Sequence, residues 1–352
     1  MHRALILLGI AAVVIAGPDS LAQAPRMNYR VVYASTRQLT RQLDQAGHEG
    51  YACVLVAQTD PGAGVPGIVV VLGRPVGGAS APISHRVIAG GSTGADLAAP
   101  LERAGVEGFR LCGSVLDEEP PVPAVVAIAS RETAAPISAR HYGVEPLTNY
   151  KESLLRLGAA ARNGFRPVAA TPINNNRVPE MRSWLVITEQ AGPIAAREVA
   201  VRSSSAADGF QRALNEQTAQ GYCADLIWKE GNDIVAMLSR ARDSAPATCA
   251  YLVEMTTLAK IHTVSHLYFA DVPFRAPADR LLISERSLSA TNDIEDDVLP
   301  PLGPSGYVEA SALGIVGDHI SRHRPAVPLS ARVHRMPNGA FVLTTVVSER
   351  SR

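Results

Sequence analysis

The chain has 352 residues, 47% hydrophobic and 19% charged, which supplies a buried core and excludes a disordered polyelectrolyte. Its 33 basic and 33 acidic residues give a formal net charge of zero. That balance speaks against a nucleic-acid partner, which needs a concentrated excess of Lys and Arg.

The N-terminus reads as a secretory signal over residues 1–24. His2 and Arg3 give a short basic start, Ala4 to Ala16 is uninterruptedly apolar, and Gly17-Pro18 ends the run. The small residues Ser20, Ala22 and Ala24 allow cleavage after Ala22 or after Ala24. The latter would leave Pro25 beside the cut, where its constrained ring fits a peptidase poorly. The apolar run is too short to span a bilayer, and no later stretch reaches the ~18 residues required. The expectation is a periplasmic or secreted protein with no membrane span in its mature chain.

Beyond the leader, a Gly-aromatic pair recurs at Gly50-Tyr51, Gly108-Phe109, Gly164-Phe165, Gly221-Tyr222 and Gly306-Tyr307. The spacing is nearly constant over the first four pairs and wider before the last. Each of the first four pairs follows a helix-like stripe: Leu39 and Leu43, Leu97 and Leu101, Tyr150, Leu154 and Leu157, then Phe210 and Leu214. Each stripe follows a short strand-like run: Tyr29 to Ala34, Arg86 to Ala89, His141 to Val144 and Glu198 to Val201. After the aromatic come a second strand, a turn rich in Pro, Gly or Asn, and a third, most apolar strand. The third strands are Ile68 to Leu72, Ala124 to Ala129, Trp184 to Thr188 and Ile234 to Leu238, and Arg74, Arg131 and Arg240 stand just past three of them.

The expected fold is therefore α+β, built of tandem β-α-β-β repeats, each a small antiparallel sheet covered by one helix. The units run over 28–75, 84–132, 139–190 and 196–242. A segment 243–279 follows, readable as a hairpin or as a helix, and then a divergent fifth unit over 280–352. Leu281 to Ser284 stands as that unit's first strand and Phe341 to Val347 as its last. Gly at each junction serves as a left-handed helix stop, and the aromatic beside it as a core anchor. Ser205 with Asp208 suggests a capping box at the fourth helix.

Unit one, with Tyr29-Arg30-Val31-Val32-Tyr33, Gly47-His48-Glu49-Gly50-Tyr51 and Ile68 to Arg74, resembles the domain-of-unknown-function family 4177. Unit two fits through Ala104 to Phe109 and Arg131, and units three and four fit at the Gly-aromatic pair and third strand. The chain departs from the pattern in having Tyr or Phe where that family usually has Trp. The resemblance implies compact β-α-β-β modules and no chemistry.

Few residues invite a chemical role. Gly90-Gly91-Ser92-Thr93-Gly94 matches a nucleophile elbow, but it falls where the repeat already demands a strand-to-helix turn. His262 with His266, and His319 with His323, are spaced as metal ligands on one face can be. No third ligand accompanies either pair, so exposed or capping histidines are the plainer reading. Asn292 to Asp297 is an acidic run without the glycine and distal Glu of a calcium loop. Cys53, Cys112, Cys223 and Cys249 can form disulfides in an exported chain; Cys223 with Cys249 is the expected pair, free buried thiols the alternative. No cofactor is implied. The reading is a non-catalytic binding or scaffolding protein of the cell envelope with an unknown protein or ligand as partner. The competing reading is a hydrolase or metal-binding protein with its site in the His-bearing C-terminal region.

Overall fold

The computed structural model describes residues 27–56, 58–59, 67–77, 81–91, 93–117, 124–147, 150–173, 183–192, 195–230 and 233–242. Beyond these it describes the backbone of strands 251–257, 268–273, 279–285, 290–298, 326–335 and 341–350. Residues 1–24, expected to be a secretory leader, lie outside the described residues.

The chain is α+β. It begins β1 (Met27–Ala34), α1 (Thr36–His48), β2 (Ala52–Val56), the short β3 (Gln58–Thr59) and β4 (Ile68–Pro75). The order then repeats as β5 (Ile83–Ala89), a 3-10 turn running into α2 (Ala98–Val106), β6 (Arg110–Asp117) and β7 (Ala124–Glu132). Next come β8 (Arg140–Leu147), α3 (Tyr150–Arg162), β9 (Arg166–Ile173) and β10 (Ser183–Ala191). A fourth set is β11 (Arg197–Ser204), α4 (Ala207–Thr218), β12 (Cys223–Glu230) and β13 (Asp233–Ala241).

Four three-stranded sheets result, ordered β1-β4-β2, β5-β7-β6, β8-β10-β9 and β11-β13-β12. The last strand of each set lies between the other two and antiparallel to both. The outer strands are therefore parallel to each other, and the helix makes the long crossover that a parallel connection needs. Central placement explains why the third strands are the most apolar: Ile68 to Leu72, Val125 to Ala129 and Ile234 to Leu238 are all buried. A strand covered on both faces cannot alternate with polar residues.

Both faces are covered because each helix is shared between two sheets. Leu39, Leu43 and Ala46 of α1 cluster with Ile68, Val70 and Leu72 of β4, and equally with Val126 and Ile128 of β7. The alternate residues Val125, Ala127 and Ala129 of β7 join α2 and then Leu185 and Ile187 of β10. Val186 belongs with Leu157 of α3 and with Val235 and Met237 of β13. The layers thus run sheet, helix, sheet, helix, with the two faces of one central strand in two cores.

Close approach at these layers is set by glycine. A Cβ on Gly47 of α1 would lie 2.2 Å from the Ile83 carbonyl oxygen of β5, and one on Gly105 of α2 would lie 2.4 Å from the Arg140 carbonyl oxygen of β8. Two glycines inside helices, ordinarily a cost, let the next sheet's edge backbone rest on the helix. A disulfide, Cys53–Cys112, joins β2 to β6 across the same boundary with a sequence separation of 59. Closing so long a loop contributes about 4 kcal/mol in the chain-entropy account. Cys223 is also disulfide-bonded; its expected partner, Cys249, lies outside the described residues.

Past residue 242 the strands form two sheets where one divergent unit is expected. β14 (Tyr251–Thr257), β15 (Tyr268–Pro273) and β16 (Asp279–Glu285) are ordered β14-β16-β15. Leu281 to Ser284 is therefore a central strand of a fifth sheet rather than the first strand of a unit beginning at 280. The segment 243–279 supplies that sheet's other two strands. β17 (Ala290–Val298), β18 (Ala326–Arg335) and β19 (Phe341–Arg350) make a sixth, ordered β17-β19-β18-β3. The acidic run Asn292 to Asp297 lies in β17, an edge strand paired with β19.

β3 joins the sixth sheet by parallel pairing of Gln58 and Thr59 with Arg332 and Val333. The strands β2, β6, β9, β12, β15 and β18 touch in that succession, and β18 touches β2 again. The six sheets close into a ring. One further expectation fails: α4 has no side-chain cap at Ala206, and Ser204 rather than Ser205 makes the turn, its hydroxyl bonded to the Ala206 backbone.

Gly47→Ala and Gly158→Ala should move stability in opposite directions. Nothing lies within 4 Å of a Cβ on Gly158, so alanine there stabilises α3 by about 0.4–1 kcal/mol through the unfolded chain. Gly47→Ala forces α1 off β5 and costs about 1–3 kcal/mol. Denaturant midpoints of the two variants check the contrast; equal shifts of the same sign would refute the packing role.

Candidate functional site

The residues that recur from sheet to sheet converge on the helix-to-strand junctions. Gly50, Gly108, Gly164 and Gly221 have φ of 81°, 85°, 83° and 83°, the left-handed region open to glycine at little cost. At each, the aromatic N–H reaches back to a helix carbonyl: Tyr51 to Ala46 at 3.0 Å, Phe109 to Ala104 at 2.9 Å, Phe165 to Ala160 at 3.1 Å and Tyr222 to Gln217 at 3.1 Å. The glycine N–H bonds the carbonyl three residues back, from 2.8 to 2.9 Å in all four. These are four Schellman closures. Gly306 and Tyr307 lie outside the described residues.

Arginine completes three of the junctions. The Arg74 guanidinium donates to the Glu49 carbonyl at 3.0 Å, Arg131 to the Glu107 carbonyl at 2.6 Å, and Arg240 to the Gln220 carbonyl at 2.8 Å. The same groups stack on the aromatic rings, at 4.6 Å for Arg74 over Tyr51, 5.1 Å for Arg131 over Phe109 and 4.7 Å for Arg240 over Tyr222. One guanidinium therefore caps a helix carbonyl and covers an aromatic face, which a lysine cannot match. In the third sheet the matching register position is Gln190, two residues past Thr188, which faces Pro167.

A second arginine closes the first two junctions from the other side. Arg30 lies 4.6 Å over Tyr51 and bonds Glu49 at 2.6 Å; Arg86 lies 4.3 Å over Phe109 and bonds Glu107 at 2.5 Å. Both carboxyls are held below the usual carboxylate range, chiefly by those hydrogen bonds. In the fourth sheet the charge is reversed: Glu198 takes Arg240 at 2.5 Å and the Tyr222 hydroxyl at 3.1 Å, and Arg240 lowers its carboxyl similarly. The sequence distances of Arg30 and Arg86 to their junctions differ, so the sequence pattern does not align them. Strand register does, pairing Arg30 with Leu72 and Arg86 with Ala129, each two residues before the capping arginine.

The junctions also receive the neighbouring sheet. His85 of β5 and Tyr142 of β8 occupy matching positions, opposite Ser130 and Glu189 of their central strands. The His85 Nε2–H donates to the Tyr51 carbonyl at 2.9 Å. The Tyr142 hydroxyl lies 3.1 Å from the Phe109 carbonyl and accepts from the Leu111 N–H at 2.8 Å. Burial holds the His85 imidazole below its ordinary value, opposed by the Tyr51 carbonyl and by Asp44. Behind Tyr142 sits Glu189, 3% exposed and paired with Arg140 at 2.8 Å and Arg166 at 3.3 Å. Elsewhere between sheets, the Ser114 and Thr171 hydroxyls share a hydrogen bond of 2.5 Å, and Thr36 at the start of α1 donates to Asp117 of β6.

The other singled-out residues are not drawn together. Ser92, His262, His266, His319 and His323 lie outside the described residues. Gly94, closing the elbow-like string, is packed so that a Cβ would meet Leu185 at 2.3 Å; its positive φ of 67° serves that turn. Among the described residues no group of three or more His, Cys, Asp or Glu is placed to hold a metal, and no helix is long and apolar enough to cross a membrane. An open polar cleft beside the first junction is lined by Asn28, His48, Glu49, Arg74, Pro75, Val76 and Gly77.

Comparison with known proteins finds no family model, no curated protein and no solved structure that matches the chain. The site must be read from its own geometry.

Two measurements test that geometry. Arg131→Ala should lower unfolding stability by about 1–2 kcal/mol, with Arg131→Lys recovering less than half, because the carbonyl bond and ring contact are lost together. Full recovery by lysine would show that charge alone matters. The folded-state value of His85 is depressed, so its contribution is present above the unfolded value near ~6.5 and is lost as pH falls through the folded value. His85→Gln should flatten part of the acid-side decline in stability; an unchanged pH profile would contradict the assignment.

Proposed function

We propose that the protein is an exported, non-catalytic tandem-repeat protein that binds or scaffolds a partner in the cell envelope. The repeat is the β-α-β-β arrangement of the first four sheets, continued in its strand pattern by the fifth and sixth, and its modules resemble the domain-of-unknown-function family 4177. The observation that carries this reading is the use made of the polar groups that recur. The arginines, glutamates and aromatics at matching positions cap helices and pin one sheet to the next, so recurrence tracks construction instead of catalysis. A ring of layered modules presents extended surface. One concave stretch in its described part is the cleft around His48, Arg74 and Val76. The leader at residues 1–24 supports export.

The test is recovery of the tagged full chain from its native envelope after mild cross-linking. The expected product begins at Gln23 or Pro25 and carries one stoichiometric partner, whose yield drops when Val76, 43% exposed at the cleft, is replaced by Glu. A chain that keeps its leader and stays in the cytosol would overturn the export reading. Stoichiometric metal, lost on His262→Ala with His266→Ala, would replace the binding role with the hydrolase or metal-binding one.

A further inference from the structure

We propose that the boundary between the third and fourth sheets is an acid-tightened joint in which Asp225 is the proton acceptor. The inference starts from a shared backbone irregularity. β2, β6 and β12 each carry a register shift at the same place, leaving Val54, Cys112 and Asp225 as the bulged residues. Such a bulge re-aims one side chain. In β6 it sends Cys112 across the boundary to Cys53 of β2 as a disulfide. In β12, which abuts β9, the residue at that position is an acid.

Among the described residues, the groups that face Asp225 come from three strands. Arg197 comes from β11, Ser239 from β13 and Arg166 from β9. Arg197 is taken up by Ser239, whose Oγ accepts its guanidinium at 3.2 and 2.7 Å, leaving the serine proton for Asp225. Arg166 is turned to Glu189 at 3.3 Å. The second carboxyl oxygen of Asp225, Oδ2, is buried with no hydrogen-bond partner among the described residues. An ionised carboxyl so placed bears an uncompensated desolvation cost, and a neutral one does not. Burial accordingly pushes the Asp225 carboxyl up to about 6, with Ser239, Arg197 and Arg166 pulling the other way.

The sign follows from proton binding. The unfolded aspartate titrates near ~3.9. Between that value and about 6 the folded chain holds a proton that the unfolded chain has released. Stability therefore rises as pH falls through this window. Two units of separation correspond to a change on the order of a hundredfold in the folding equilibrium. His85 has the opposite sign at the first boundary, and it cancels when two variants sharing it are compared.

The experiment is denaturant unfolding of the wild type and Asp225→Asn from about pH 7.5 to about pH 4. The neutral amide should be the more stable at high pH by ten- to a hundredfold, with the gap closing toward the acid end. A gap that stays constant, or a wild-type carboxyl that titrates below ~4 by carbon NMR, would overturn the proposal. Should the Asn variant not fold, amide exchange in the wild type decides it. Protection in β9 and β12, corrected for intrinsic rates, rises as pH falls if the joint tightens, and stays flat if it does not. Ser239→Ala should move the Asp225 midpoint higher still, since it removes the donor to the ionised form.

Discussion

The shared helix is the constraint on which the rest of this molecule depends. A three-stranded sheet with one helix buries too little surface to stand alone, and here no sheet among the first four has to. α1 packs on β4 and on β7 at once, so the central strand needs two apolar faces while the single apolar stripe of the helix, Leu39, Leu43 and Ala46, serves both sheets. The cost is close approach. Gly47 and Gly105 meet that cost where the next sheet's edge backbone runs over the helix, and the Cys53–Cys112 bridge locks the first of those contacts.

The helix ends carry the second level of organisation. A Schellman closure leaves the carbonyl before the glycine free to accept, and the arginine past the third strand takes it while lying on the aromatic ring. The aromatic carbonyl in turn accepts from the next sheet through His85 or Tyr142. One short junction thus stops a helix, anchors a core and receives a neighbour. The variation among boundaries is chemical: a disulfide and a buried histidine at the first, a tyrosine at the second, a desolvated carboxyl at the third. Those differences make the boundaries unequal in their response to redox state and pH, although their backbone geometry repeats.

The recurring arginines at the junctions are engaged in capping helix carbonyls, so the binding role proposed above places specificity in what differs between the sheets, at rims such as the cleft beside Glu49. Ring closure through β3 and β18 adds that the first and last sheets are neighbours, which sets the relative placement of all six rims.

The sequence by itself determined the α+β class, the helix stripes, the glycine stops and the apolar third strands, because each follows from local periodicity or from a backbone angle that one residue type favours. Arg74, Arg131 and Arg240 were visible too, though not what they cap. Where the Gly-aromatic marker disappears, the phase was lost, so 243–279 read as an insertion and Leu281 to Ser284 as a first strand in place of a central one. Only the tertiary structure decided that the third strand sits in the middle, that α1 belongs to two sheets, that Cys112 meets Cys53 and that Asp225 faces Arg166. Those outcomes depend on which surfaces can be buried together, and a linear pattern of apolar residues does not specify the partner for either face.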